Sequence, residues 1–256
     1  MVEHSNYAVE LFVFAKRWEY KETRILVKAN TKRAVEVALK AAFEARMSVE
    51  KYVLKYPEFR YSLEPIKLRG PHPEVIRLML EASELAGVGP FASVAGAIAQ
   101  VACEAGAVYC EGGGILVENG GDIQIMGRGR FRIGVYAGNS PLSGKIAFLV
   151  KEEDLPAGIC TSSGTVGPSL SFGESDATIV IADEASLADA AATAIGNEVR
   201  GREEEESIKR GLDKFEQIPD LRGCLIIRGK MAGLKGRLPE IVLSRLESLK
   251  EFLQFV

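Results

Sequence analysis

Apolar and polar positions alternate over Tyr7–Ala15 and Glu22–Ala29, which predicts two strands joined by the polar connection Lys16–Lys21, a hairpin start. Asn30 or Thr31 is placed to cap a long helix. Its apolar residues Val35, Ala38, Ala42, Ala45, Val49 and Val53 recur every three or four positions until Pro57 stops it. A second helix is predicted from Glu74 to about Leu85, ending at Gly87. A third, small and uncharged, runs from about Pro90 to Ala105, and its lack of charge implies burial. From Gly112 to Val150 the period shortens to two. Strands are expected at Ile115–Glu118, Asp122–Met126, Phe131–Ala137 and Lys145–Val150, separated by glycine-rich turns in an antiparallel meander. Beyond Gly173 the pattern predicts a strand at Ala177–Ala182 and an alanine-rich helix from about Ser186 to Val199. A solvated charged helix follows at Arg202–Glu216, then a strand at Gly223–Arg228 and a helix at Pro239–Leu253. The class is α+β, a single domain over 1–256 of two intimately packed halves, each an antiparallel sheet covered by helices.

Composition narrows the function classes. The chain has 256 residues, 47% apolar and 26% charged, with 32 basic and 35 acidic residues well mixed. No nucleic-acid footprint is visible in that balance. Two 19-residue stretches without charge, Leu85–Cys103 and Leu155–Gly173, are broken by glycines and prolines, so no membrane span is expected. The start, Met-Val-Glu-His-Ser-Asn-Tyr, carries no basic segment followed by an apolar run, and a cytoplasmic location is expected. Cys103, Cys110, Cys160 and Cys224 form no C-x-x-C pair, which disfavours a disulfide framework in a reducing compartment. His4 and His72 are the only histidines, so chemistry needing several imidazoles is excluded.

Eighteen of the 26 glycines fall between Gly87 and Gly173, which concentrates any ligand site in the middle third. Gly87–Gly96 is a glycine turn entering a helix, suited either to an anion at the helix start or to tight helix packing through Gly96. Asn119-Gly120 reads as a two-residue hairpin turn, with Gly121 and Asp122 beside it leaning towards function. Cys160 opens a loop rich in glycine and hydroxyls: Thr161, Ser162, Ser163, Gly164, Thr165, Ser169 and Ser171. Such a loop suits phosphate or ribose oxygens, or is a plain surface loop. No G-x-S-x-G elbow accompanies it, which disfavours serine catalysis. Asp189, Thr193 and Asn197, spaced by four, form one polar stripe on the alanine-rich helix. It either holds a hard cation through oxygen or faces solvent.

Taken in order, these segments resemble the ApbE family, FAD-dependent transferases that attach FMN to a target threonine using magnesium. Ala95-Gly-Ala-Ile-Ala-Gln100, Asn119-Gly-Gly-Asp-Ile123, Ser163-Gly164 and Ala188-Asp-Ala-Ala-Ala-Thr193 match four of that family's motifs. The strings Gly87-Val-Gly-Pro, Val117-Glu-Asn-Gly-Gly-Asp and Thr161-Ser-Ser-Gly-Thr-Val-Gly look closer still to an ApbE-like family of anaerobic archaea and bacteria associated with sulfide assimilation. The resemblance implies a tandem T-fold-like architecture and a small-molecule ligand, FAD or FMN. It also implies Mg²⁺ held by Asp189, Thr193 and the carbonyl of Ala99. The ligand-binding set it suggests is Gly96, Asn119, Gly120, Gly121, Asp122, Thr161, Ser162, Ser163, Gly164, Ser169 and Ser171.

The match is incomplete where chemistry is done. The family's lysine is replaced by Gln100, the glycine after it by Val101, and the aspartate ahead of the first glycine by Val94. Its histidine- and aspartate-bearing segment is matched by Pro168-Ser-Leu-Ser-Phe172, with neither imidazole nor carboxylate. Loss of these groups argues against ordinary FMN transfer. For the closer relatives the implied role is sulfur delivery with a sulfur-transfer partner protein. On that reading Cys160 is the candidate catalytic residue, a partly exposed thiolate able to carry a persulfide, with a buried cysteine at a strand end as the alternative.

Overall fold

The structure, a computed structural model, describes residues 13–165 and 172–244. The chain opens with β1 (Phe14–Tyr20) and β2 (Thr23–Ala29), then the helices α1 (Lys32–Lys55), α2 (Glu58–Tyr61) and α3 (Glu74–Ala86). A 3₁₀ turn at Pro90–Ser93 leads into α4 (Val94–Ala107), followed by β3 (Gly114–Asn119), β4 (Asp122–Gly127), β5 (Phe131–Gly134), β6 (Ile146–Val150) and β7 (Ala157–Ser162). The last third holds β8 (Ala177–Ala182), α5 (Ala185–Glu198), α6 (Glu204–Phe215), β9 (Leu221–Arg228), β10 (Met231–Gly236) and β11 (Glu240–Leu243).

Eight strands form one sheet in the order β1-β2-β3-β4-β7-β8-β9-β10, and every neighbouring pair is antiparallel. Side-chain alternation then sorts residues to two faces. On one face Ile25, Val27, Ile115 and Val117 pack under α1, α3 and α4, while Cys160, Val180, Cys224 and Ile226 pack under α5 and α6. The other face, with Ile123, Ile125, Ile159, Ile179 and Leu225, packs against Phe148 and Val150 of a three-stranded sheet ordered β11-β6-β5. Thr31 caps α1, its Oγ1 accepting from Ala34 N at 3.1 Å, and Gly87 closes α3 in the left-handed region at φ 73°.

Several expectations need correction. Lys16–Tyr20 belongs to β1, and the turn is Lys21-Glu22; the segment is polar because β1 is an outer strand that α1 covers only in part. Residues 7–12 of the expected first strand lie outside the described residues. The meander divides between two sheets, since β3 and β4 join the large sheet and β5 and β6 the small one. The 202–216 helix is not wholly solvated, because Ser207, Ile208 and Gly211 of α6 are buried. Pro239–Leu253 begins as the strand β11 rather than a helix, and its residues 245–253 lie outside the described residues. β10 carries no clear strand signal, because Met231-Ala-Gly-Leu-Lys-Gly236 offers too little apolar alternation. Among the described residues no single helix is long and apolar enough to cross a membrane.

Candidate functional site

Asp122, Asp189, Gly96 and Asn119 come together on the helix side of the sheet, where β4 meets β7. Extending the Ile123↔Ile159 register by one residue sets Asp122 opposite Cys160. Asp122 is buried, and its Oδ1 accepts from Thr161 N at 3.2 Å. Asp189 reaches the same place from α5. It is also buried, not solvent-facing, and its Oδ2 accepts from Gly96 N at 2.8 Å. The turn that delivers Asp122 is Gly120-Gly121, not Asn119-Gly120, with φ of 66° and 109° and Asn119 paired to Asp122. Asn119 is a strand residue whose Nδ2 donates to Ala95 O at 3.1 Å, tying the hairpin to the start of α4.

Two helix starts cap each other here. The first amides of α4 face Asp189, so the helix start offered above for a phosphate is already taken by a protein carboxyl. The first amides of α5 face two glutamines: Ala185 N donates to Gln124 Oε1 at 2.7 Å and Ser186 N to Gln100 Oε1 at 3.2 Å. Gln100, standing where the family has lysine, is thus an acceptor for a helix start. The sequence offered no signal for Gln124, whose role depends on the non-local approach of β4 to α5. Gly96 serves packing as well, since a Cβ there would lie 2.3 Å from Ala185 O and 2.8 Å from Asp189 Cβ.

The electrostatics are those of a buried acidic pair. Burial pushes the Asp122 carboxyl up to about 7, against the pull of the Thr161 amide and the Cys160 thiol, and Glu118 adds to the rise. Burial, then the Asp122 charge, holds Asp189 well above the carboxyl range, although the Gly96 and Ala95 amides oppose this. Among the described residues, no basic side chain acts on either. Two buried carboxyls so placed either retain a proton or bind a cation, and the oxygen donor set fits a hard dication such as Mg²⁺. Asp189 and Asp122 would hold it, with the half-buried Thr193 one turn along α5. Ala99 lies fully buried inside α4, its carbonyl in the helix's own hydrogen-bond ladder.

The reachable thiolate expected of Cys160 is overturned. Cys160 sits inside β7 on the face that α5 covers, fully buried, and its thiol donates to Ala185 O at 3.3 Å. Burial, with the Asp122 and Asp189 charges, pushes the thiol well above its ordinary value. The hydroxyl segment is a strand through Ser162, and Ser162 is itself buried. Ser163 and Gly164 begin the loop: Gly164 N donates to Ser175 O at 2.9 Å and Thr165 N to Ser163 Oγ at 3.1 Å. Asn197, the last of the polar stripe, holds the far side by accepting from Phe172 N at 3.0 Å. Ser169 and Ser171 lie outside the described residues.

The fold is similar to that of solved structures of the flavin transferase ApbE. The apo flavinyl transferase ApbE of Pseudomonas stutzeri matches with a TM-score of 0.57 at 16% identity, covering 95% of this chain and 97% of that one. The ApbE protein of Thermotoga maritima gives 0.55 at 14%, covering 92% and 98%. At such identities the likeness speaks for the fold. The chain belongs to the family described as AbpE bacteria, whose family model matches residues 14–251. A UPF0280 protein of Methanocaldococcus jannaschii is 43% identical over 231 residues, covering 90% of this chain and 93% of the relative. One from Methanothermobacter thermautotrophicus is 41% identical over 200 residues, covering 78% and 77%.

Proposed function

We propose that this chain binds a flavin nucleotide, FAD or FMN, together with a divalent cation at the Asp122–Asp189 pair, and that it does not transfer FMN covalently. The observation that carries the cation is the burial of both carboxyls, with no basic partner acting on them among the described residues. The flavin rests on the shared fold with proteins named flavin transferases and on the motif correspondences around Gly96, Asn119–Asp122 and Ser163-Gly164. The absence of transfer rests on Gln100, engaged with Ser186 where a lysine amine would be needed, and on the 168–172 segment, which lacks an acid-base group. A cytoplasmic role in sulfide assimilation, with a sulfur-transfer partner, is proposed from the family resemblance. The buried Cys160 is left out of it.

Mass spectrometry of small molecules released from anaerobically purified protein is the direct test, with FAD and FMN titrated by fluorescence with and without Mg²⁺. A released or titrating flavin whose affinity rises with Mg²⁺, and falls in Asp189→Asn, supports the reading; no flavin binding in either condition sinks it. Incubation with FAD, Mg²⁺ and threonine-containing acceptor peptides should give no fluorescent band on a denaturing gel. A labelled acceptor would restore the transferase reading. Impaired growth on limiting sulfide after deletion of the gene is the expected sign of the sulfur role, and unimpaired growth removes it.

A further inference from the structure

Strand β4 and helices α4 and α5 each set two residues one step apart around the acidic pair. On β4, Asp122 and Gln124 stand two residues apart on the helix side, opposite Asn119 and Val117 of β3, a spacing of about 6.7 Å along a strand. On α5, Ala185 and Asp189 stand four residues apart, about 6 Å along a helix. The spacings match. The bond from Ala185 N to Gln124 Oε1 at 2.7 Å and the approach of Asp189 to Asp122 are therefore successive rungs between one strand and one helix. On α4, Gly96 and Gln100 repeat the helical spacing: Gly96 N donates to Asp189 at 2.8 Å, and Gln100 Oε1 accepts from Ser186 N at 3.2 Å and Ser186 Oγ at 2.8 Å.

The rung at Gln124 is held at both ends of its amide. Its Nε2 donates to Asp183 O at 2.9 Å, so one buried side chain grips the backbone on either side of Glu184, where α5 begins. Opposite Gln124 on β7 stands Gly158, where a Cβ would lie 2.5 Å from Ala185 N. The start of α5 thus rests directly on the sheet.

We infer, on the cation reading given above, that Gln124 is the positioning residue of that site. By fixing where α5 starts on β4 it sets the separation of the Asp122 and Asp189 carboxyls, and with it a preference for a small dication over Ca²⁺. Mg²⁺ takes oxygen ligands at about 2.1 Å in near-regular octahedral geometry, whereas Ca²⁺ accepts about 2.4 Å and irregular arrangements. Carboxyls on two elements that cannot slide past each other favour the first ion, and a helix start free to shift lets the pair widen to suit the second. Gln124 carries no charge, so its loss leaves the attraction that both dications share unchanged.

Isothermal titration of the full chain with MgCl₂ and with CaCl₂ at pH 8 measures the ratio of the two affinities. The wild type should prefer Mg²⁺. Gln124→Ala should lower the Mg²⁺ affinity by about tenfold or more and the Ca²⁺ affinity less, so that the preference is lost. Gln124→Met, which fills the same space without a comparable acceptor, should do the same without opening a cavity. Gln124→Glu keeps an acceptor for Ala185 N and should restore the ratio, because its charge attracts both dications alike. Thr31→Ala removes a cap of the same kind from α1, so it should cost comparable stability and leave the ratio as in the wild type. A wild type without preference, a ratio unmoved by Gln124→Ala and Gln124→Met, a Gln124→Glu no better than these, or an equal fall in Thr31→Ala would overturn the role of Gln124. The cation reading stands in each of those cases as long as either ion binds and Asp189→Asn weakens the binding. A wild type that binds neither ion overturns both.

Discussion

Asp122 and Asp189 give the protein a pH dependence of definite sign. Their folded-state values are raised, Asp122 to about 7, so between the ordinary carboxyl range and about 7 the folded chain holds protons that the unfolded chain has released. The stability tied to those protons is fully present below the unfolded carboxyl values and is lost as pH rises through the folded ones. Without a divalent cation, Asp122→Asn should therefore stabilise the fold at pH 8 by on the order of a few kcal/mol or less, read as a higher Tm, with little change near pH 4. A cation must displace the retained proton, so Mg²⁺ should raise the wild-type Tm more at pH 8 than at pH 6, and EDTA should reverse it. Thermal melts followed by circular dichroism measure this. A Tm that ignores Mg²⁺ at both pH values, in wild type and variant alike, would leave Asp189 as a helix cap and Asp122 as an acceptor for Thr161 only.

The mutual caps of α4 and α5 predict what single changes at their starts will cost. Gln124→Ala leaves Ala185 N–H without its acceptor, and Gln100→Ala does the same for Ser186; each should lose about 1–2 kcal/mol in urea unfolding. Gly96→Ala should cost about 1–3 kcal/mol by forcing α4 off the Ala185 carbonyl. Gly134→Ala, where a Cβ meets nothing within 4 Å, serves as the control. If the two changed alike, close approach of the helices would not be the reason for Gly96. Elements whose signal is local were legible in the sequence: the Thr31 cap, the Gly87 stop and the apolar run Ile179–Ala182 of β8. Elements defined by distant pairing were not. The polar residues of β1 look like a turn until β2 is known to lie beside them, and Glu240–Leu243 follows a helical period yet pairs with β6. Asp122 and Asp189, both named from the sequence, are brought by the fold within each other's field. The site was misread at Cys160, because nothing adjacent in sequence shows that α5 lies over that strand.

Across the whole molecule, clusters that bridge the two ends of the large sheet predict that it unfolds as one unit. Helix α3 gives Val75, Ile76, Leu78 and Met79 to the cluster over β2 and β3, and Ala82 and Ala86 to the cluster over β7–β9. On the opposite face a third cluster runs from Leu116 of β3 to Leu225 of β9, and so belongs to both halves. Breaking the β4–β7 junction would expose both ends of it, together with the acidic pair. The cysteines report on this directly, because Cys103 and Cys110 lie in the first cluster and Cys160 and Cys224 in the second. Burial raises all four thiols, Cys224 to about 12, so none should alkylate in the native state. Pulsed alkylation along a urea series, mapped by peptide mass spectrometry, should show all four becoming reactive at one midpoint that coincides with the loss of circular dichroism. Labelling of Cys160 and Cys224 at a lower urea concentration than Cys103 and Cys110, or the reverse, would mean that the continuous sheet joins two independently stable units and that the α3 bridge contributes little to their coupling.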